Sequence, residues 1–168
     1  MKSLRIRTLA AVADDIAIGQ ALVREYVLAT AEEIGQDLDT ILPFIPDYHD
    51  FASVFLPPAG TYAIAESGGV AGDVAGYVAG GAGIRRIDQS TCEMNRLWVL
   101  PHHRGKRIAH ALCEHLLIEA RDAEYQRMIL DVVPSRVGAI ALYESLGFTE
   151  TEPVHEYPFA MRYFAKDL

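Results

Sequence analysis

One contiguous passage constrains the fold of this chain more than any other. The extended run Leu97-Trp98-Val99-Leu100-Pro101 passes through Arg104-Gly105-Lys106-Arg107-Ile108-Ala109 into a helix, and then into Met128-Ile129-Leu130-Asp131-Val132-Val133. Ile108, Ala109, Leu112, Cys113, Leu116, Leu117 and Ala120 repeat with the helical period, while His110, Glu114, Glu119, Arg121 and Asp122 fall largely elsewhere. One face of this helix therefore packs on a sheet. The second run is almost continuously apolar and ends at Pro134, as a strand covered on both faces does. Strand, helix and strand predict a right-handed βαβ unit. The turn into the helix is a natural anion site, because the first four backbone N–H groups lack intrahelical partners and the helix dipole is positive there. Three cations at positions 104, 106 and 107 strengthen it.

Composition narrows the class. A length of 168 residues, about half of them apolar, suits a single domain over 1–168. No apolar run approaches the roughly 20 residues that span a bilayer, and Met1-Lys2-Ser3-Leu4-Arg5 leads into a strand rather than a signal peptide. A soluble, cytoplasmic protein with no membrane partner is expected. The net charge of −8 argues against nucleic-acid binding, and the basic cluster at 104–107 suits one pyrophosphate rather than a duplex. An acidic surface attracts a cationic amine, although it also simply confers solubility. Cys92 and Cys113 are expected as reduced, buried thiols, not as a disulfide or a zinc site. His102-His103 invites a metal reading, but adjacent side chains of an extended chain point apart and no ligand cluster accompanies them, so no metal is expected.

Elsewhere, Leu4-Arg5-Ile6-Arg7-Thr8-Leu9 alternates like an edge strand, and Ile16 to Thr30 reads as a helix that Asp14 or Asp15 can cap. Residues 32–60, with Gly35, Pro43, Pro46, Pro57 and Pro58, read as a short helix and a loop. Thr61–Glu66 and Val74–Gly80 are two strands joined by the turn 67–73, and Gly80-Gly81-Ala82-Gly83 breaks or bends the second. Glu156 to Leu168 completes the sheet, after a helix that Gly147 terminates.

Two blocks resemble those of the GCN5-related N-acetyltransferases. Cys92-Glu93-Met94-Asn95-Arg96-Leu97-Trp98-Val99-Leu100-Pro101, followed by Arg104 to Ala109, is similar to that family's fourth strand and (Arg/Gln)-x-x-Gly-x-(Gly/Ala) loop. Ala139-Ile140-Ala141-Leu142-Tyr143-Glu144-Ser145-Leu146-Gly147-Phe148 resembles its A-x-x-L-Y-x-x-x-G-F signature. Arg107 stands where the family loop most often has glycine. It is expected in the first helical turn with ordinary helical φ, where its side chain can add a phosphate contact. Ser135-Arg136 replaces the family's usual asparagine before the second block.

The resemblance implies an α/β (α+β) fold: a mixed, mostly antiparallel sheet with helices on both faces and one splayed parallel strand pair that admits the pantetheine arm. It also implies acetyl transfer from acetyl-CoA, as acyl-donor cosubstrate, to a primary amine by direct attack in a ternary complex. Leu97, Trp98 and Val99 would contact the thioester and pantetheine, chiefly through the backbone. Arg104, Gly105, Lys106, Arg107, Ile108 and Ala109 would hold the phosphates, and Ser135 would also contact the cofactor.

An amine must be neutral to attack, the oxyanion stabilised and the leaving thiolate protonated. Tyr143 matches the family's proton donor, the alternative being a tyrosine that only packs. Glu93 is the candidate base, directly or through a water, the alternative being an exposed strand glutamate or a partner for Arg96. By strand alternation it shares a side with Asn95, Leu97 and Val99. Asp131, charged within an apolar strand, is expected to be paired or to face the cleft. Asp47, His49, Asp50, His155 and Tyr157 could line the acceptor pocket by family analogy or be ordinary loop polarity. Neither cysteine has an activating partner, so no covalent intermediate is expected. The acceptor is left open between a small metabolite, a drug-like amine, a peptide N-terminus and a lysine. A homodimer using the aromatic segment 44–55 fits the family. A non-catalytic acyl-CoA-binding sensor or interaction module is the alternative function. A dinucleotide-binding or P-loop reading lacks its glycine spacing.

Overall fold

The computed structural model describes residues 4–68 and 77–168. Their strands are β1 (Leu4–Thr8), β2 (Gly60–Ser67), β3 (Tyr77–Arg86), β4 (Thr91–Val99), β5 (Arg127–Val132), β6 (Thr149–Glu150) and β7 (Arg162–Asp167). The helices are α1 (Ala13–Ile34), α2 (Leu38–Ile41), α3 (Phe51–Phe55), α4 (Ile108–Asp122) and α5 (Val137–Ser145), with 3-10 turns at Leu42–Phe44, Pro46–Tyr48 and Pro101–His103. The sheet runs β1-β2-β3-β4-β5-β7-β6 and is antiparallel except between β4 and β5. The mixed sheet expected from the sequence is present, with β1 on its edge.

Alternation along the strands divides the core in two. Ala63, Ala65, Cys92, Met94, Met128 and Leu130 pack with Leu112, Leu116 and Ile140, which places α4 and α5 over one face. Tyr62 and Ile64 pack with Val23, Val27, Phe51 and Phe55, which places α1 and α3 over the other. The rings of Phe51, Phe55 and Tyr62 lie 5.0–5.5 Å apart, worth about 0.5–1.5 kcal/mol per pair beyond the area they bury. Within the segment 44–55, Phe51 and Phe55 are fully buried in the core, whereas Phe44 is exposed.

The parallel pair is short. Thr91, Cys92 and Glu93 register with Arg127, Met128 and Ile129, after which β4 continues beside β3 alone and β5 beside β7. A bulge accompanies the opening. Gly81 pairs with Trp98 but Gly83 with Asn95, so Arg96 and Leu97 together oppose Ala82, and Arg96 takes a left-handed φ of 58°. Gly83 permits this approach, since a Cβ there would lie 2.5 Å from the Phe55 ring. The bulge reverses the alternation of β4. Cys92, Met94, Leu97 and Val99 face the α4 side, whereas Trp98 and Leu100 pack with α1. The expectation that Glu93 and Asn95 share a side with Leu97 and Val99 therefore fails. The glycine run bends β3 without breaking it.

Smaller differences have local causes. Val12, not an aspartate, is the N-cap of α1. Asp15 instead binds Arg7 at 2.9 Å and accepts the Ala10 N–H at 2.8 Å, holding β1 to the helix. Residues 32–60 contain the end of α1, α2, two 3-10 turns and α3. The last strand starts only at Arg162. The expected turn at 67–73, and positions 74–76 of the expected strand, lie mostly outside the described residues. Gly147, at φ 89°, follows the end of α5 as its expected terminator.

Candidate active site

The splay opens a cleft of about 690 Å³ between the end of β4, the start of α4 and the start of α5. Leu97, Trp98, Val99, Arg104, Gly105, Arg107, Ile108 and Ala109 line it, with Glu33, Arg136, Ala139 and Leu142 opposite. The first hydrogen bond of α4 runs from Ala111 N–H to the Arg107 carbonyl. The N–H groups of Ile108, Ala109 and His110 precede it at the positive end of the helix. Gly105 has a φ of 74°, and a Cβ added there would meet nothing within 4 Å. The combination of bare backbone, cationic side chains and apolar walls fits a ligand with a pyrophosphate head and a slender arm.

Three expected contacts are arranged differently. Arg107 is not in an ordinary helical turn; it is the N-cap of α4 at φ 60°, ψ 18°, the left-handed conformation that the usual glycine adopts without strain. Lys106 does not line the cleft, because its ammonium turns back to the His102 carbonyl at 3.1 Å. Ser135 donates to Glu33 at 2.6 Å rather than facing the cleft. The neighbouring Arg136 is the residue sequence reasoning missed. It reaches across the mouth from α5 to α1, donating to Glu33 at 2.9 Å and Thr30 at 2.8 Å, with its guanidinium 4.9 Å from the Tyr26 ring centre. Arg104 donates to the Val99 carbonyl at 3.0 Å and sits 4.8 Å over Trp98.

Deeper in the splay, Asn95, Arg96, Leu97, Asp131 and Tyr143 line a cavity of about 30 Å³, and Leu97 belongs also to the large cleft. Tyr143 is 6% exposed. Burial drives its phenol well above the ordinary value, so at neutral pH it carries its proton. Asn95 is 8% exposed and its buried Oδ1 meets no hydrogen-bond donor among the described residues. The His102 and His103 rings, expected to diverge, lie 5.3 Å apart in a 3-10 turn.

On the far side of Asp131 the charged groups are drawn together. Glu93 is fully buried and bonds Arg85 at 2.6 Å and His155 at 2.5 Å, so Arg96 is not its partner. Burial pushes the Glu93 carboxyl up, but the His155 hydrogen bond and the Arg85 charge outweigh it and hold it below its ordinary value. Arg96 is taken by Asp47 through two bonds, of 2.8 and 3.0 Å. Asp131 lines the small cavity at the splay and the one beyond it, not the large cleft. It accepts from the Tyr157 hydroxyl at 2.8 Å, and burial followed by the Glu93 charge pushes its carboxyl up. Asp131, Glu93 and His155 offer ligand atoms within 4.8 Å of one another, a grouping of the size that holds a metal ion. Both Glu93 oxygens in that group are already engaged. Of the remaining candidates, His49 is exposed and Asp50 caps α3 through the Ser53 N–H. Cys92 and Cys113 are free and buried, each pushed up to about 12 by burial. Among the described residues no helix is long and apolar enough to cross a membrane.

Known proteins agree with this geometry. An N-acetyltransferase of Schizosaccharomyces pombe is 32% identical over 82% of this chain and 78% of its own. An N-acetyltransferase of Escherichia coli K12 is 31% identical over 61% of this chain and 59% of its own. Among solved structures, a GNAT-family acetyltransferase of Staphylococcus aureus Mu50 superposes with a TM-score of 0.74 at 15% identity, covering 98% of this chain and 99% of that one. One from Elizabethkingia anophelis, with acetyl-CoA bound, superposes at 0.61 and 16% identity, covering 98% of each. The profile of the acetyltransferase (GNAT) family matches residues 18–148, and with the splayed strands and the helix-start cleft in view, the chain belongs to that family.

Proposed function

We propose that this acetyltransferase moves the acetyl group of acetyl-CoA to a primary amine by direct attack in a ternary complex. The observation that carries the reading is the cavity at the splay, where Asn95, Leu97, Asp131 and Tyr143 meet at the inner end of the cleft. Arg104, Gly105, Arg107, Ile108 and Ala109 would hold the phosphates, and Leu97, Trp98 and Val99 the arm. When bound, acetyl-CoA supplies the activated acetyl thioester. Tyr143 keeps its phenolic proton at the junction, as the donor for a leaving thiolate. Asp131 is the better proton acceptor of the two carboxylates, because a base works best when its pKa lies near the operating pH. Asp131 is raised toward that range, whereas Glu93 is lowered. Glu93 then acts through His155, fixing the imidazole beside Asp131. With both thiols buried and raised, neither cysteine serves as nucleophile.

Free buried thiols suit a reducing compartment, the cytoplasm. For a homodimer, the surface at hand is the end of β1 and β3 around Leu4 and Tyr77, 41% and 75% exposed. The test is calorimetric titration with acetyl-CoA and with its form lacking the 3′-phosphate, followed by thiol release with a panel of amines. Micromolar binding, about −8 kcal/mol, and amine-dependent release are expected. Binding without release from any amine would establish the sensor instead, and absence of binding would overturn both.

A further inference from the structure

Asp131 differs from the carboxylates around it. Glu93 is matched by Arg85 and Asp47 by Arg96, each within 2.8 Å. Asp131 has no ion-pair partner among the described residues and only the neutral Tyr157 hydroxyl as donor. Across the splay, the buried Asn95 Oδ1 is an acceptor that meets no donor among the described residues. One acceptor without a donor and one carboxylate without an ion pair of its own, lining one cavity, call for a ligand that brings N–H groups and positive charge.

The space around them is narrow. The cavity with Asn95 and the one on the other side of Asp131, walled by Phe44, Tyr157, Phe159 and Met161, each hold about 30 Å³, the share of one water molecule in the liquid. Tyr157 and Phe159 stack at 5.2 Å, and Phe44 meets both edge-on while remaining 39% exposed. An entering chain passes the exposed Phe44 along apolar rings, and nitrogen reaches the splay only if the carbon bearing it is slender. An acceptor carrying its own carboxylate beside the amine meets Asp131 and finds Arg96 already neutralised.

We propose that the acceptor is an unbranched, apolar primary amine of the form R–CH2–NH2 without an adjacent carboxylate, its ammonium recognised by Asp131 and Asn95 and its body by Phe44 and Phe159. This rests on the acetyl-transfer reading and excludes α-amino acids and peptide N-termini.

The test compares 2-phenylethylamine, phenylalaninol, which adds a branch without charge, and phenylalanine, which adds the carboxylate. Each is assayed for thiol release with acetyl-CoA and for calorimetric binding to the protein–CoA complex. A drop in kcat/KM of about 10-fold for the branch and at least about 100-fold for the carboxylate is expected, with affinities in the same order. Phe44→Ala, at an exposed site, raises KM for 2-phenylethylamine about 10-fold with kcat little changed. Asp131→Asn narrows the binding gap between phenylethylamine and phenylalanine. Release or binding that favours phenylalanine, or no binding of any of the three, overturns the amine class. Binding in the expected order without thiol release refutes acetyl transfer and leaves the amine class standing.

Discussion

The cofactor cleft and the acceptor side lie on either side of the small cavity at the splay, which shares Leu97 with the first and Asp131 with the second, yet they are built in opposite ways. Most of the cleft comes from one stretch, Leu97 to Ala109, and much of its recognition is backbone: a helix start, a bare glycine turn and a strand edge released by the splay. The acceptor side is assembled from Tyr26, Phe44, Arg96, Asp131, Tyr157 and Phe159, spread over more than a hundred residues of sequence and brought together as side chains. Backbone recognition survives many substitutions. Convergent side chains do not, and that is where one member of a fold family differs chemically from another.

The contrast can be broken experimentally, most strongly at the junction. Tyr143→Phe is expected to lower kcat by about 100-fold or more, the ordinary contribution of a positioned proton donor, while calorimetric acetyl-CoA affinity stays within about threefold. Equal loss of affinity would make Tyr143 a packing residue of the cleft wall.

Gly83→Ala attacks the bulge that sets which way Leu97 and Asn95 point. Forcing a Cβ against the Phe55 ring costs about 1–3 kcal/mol, visible as a lower urea midpoint, and activity should fall with it. A variant of unchanged stability would show that the bulge does not depend on this close approach.

The acceptor side carries a pH signature of its own. The Glu93 hydrogen bond raises the His155 pKa above its ordinary 6.5. Stabilisation from the imidazolium is therefore fully present below pH 6.5 and lost as pH rises through the raised folded value. Unfolding free energy of the wild type should decline over that window, and His155→Gln should flatten the decline. Identical profiles would remove the charged pair.

The smallest effect belongs to the cleft. Arg107→Gly relieves a left-handed non-glycine residue and should raise stability by about 0.5–1 kcal/mol, net of the greater freedom glycine brings to the unfolded chain. Thermal midpoints would register it, and a fall would mean that the arginine side chain holds the turn.

How much was legible follows the same division. Helix α4, strand β5, the glycine turn before the helix and the burial of the thiols could be read because each rests on local periodicity or composition. The exceptions inside the legible region are instructive. Lys106 turns to a nearby carbonyl, Ser135 to a nearby carboxylate, and Arg107 takes a left-handed backbone rather than the ordinary helical one, because each answers to neighbours that the local period does not specify. The only sequence sign of Arg136 was the missing asparagine beside it, which did not reveal that its guanidinium would bridge two helices.

The sequence by itself determined the order of elements, the helix start that can bind an anion and the burial of both cysteines, because hydrophobic period and unsatisfied helix N–H groups are properties of a few consecutive residues. Only the tertiary structure decided that β4 changes face at Arg96, that Glu93 belongs to Arg85 and His155, and that Asp131, among the described residues, has no ion pair of its own because Arg96 and His155 are engaged by Asp47 and Glu93. Those outcomes depend on which distant side chain arrives first at a buried charge, and a buried carboxylate takes whichever donors the fold delivers.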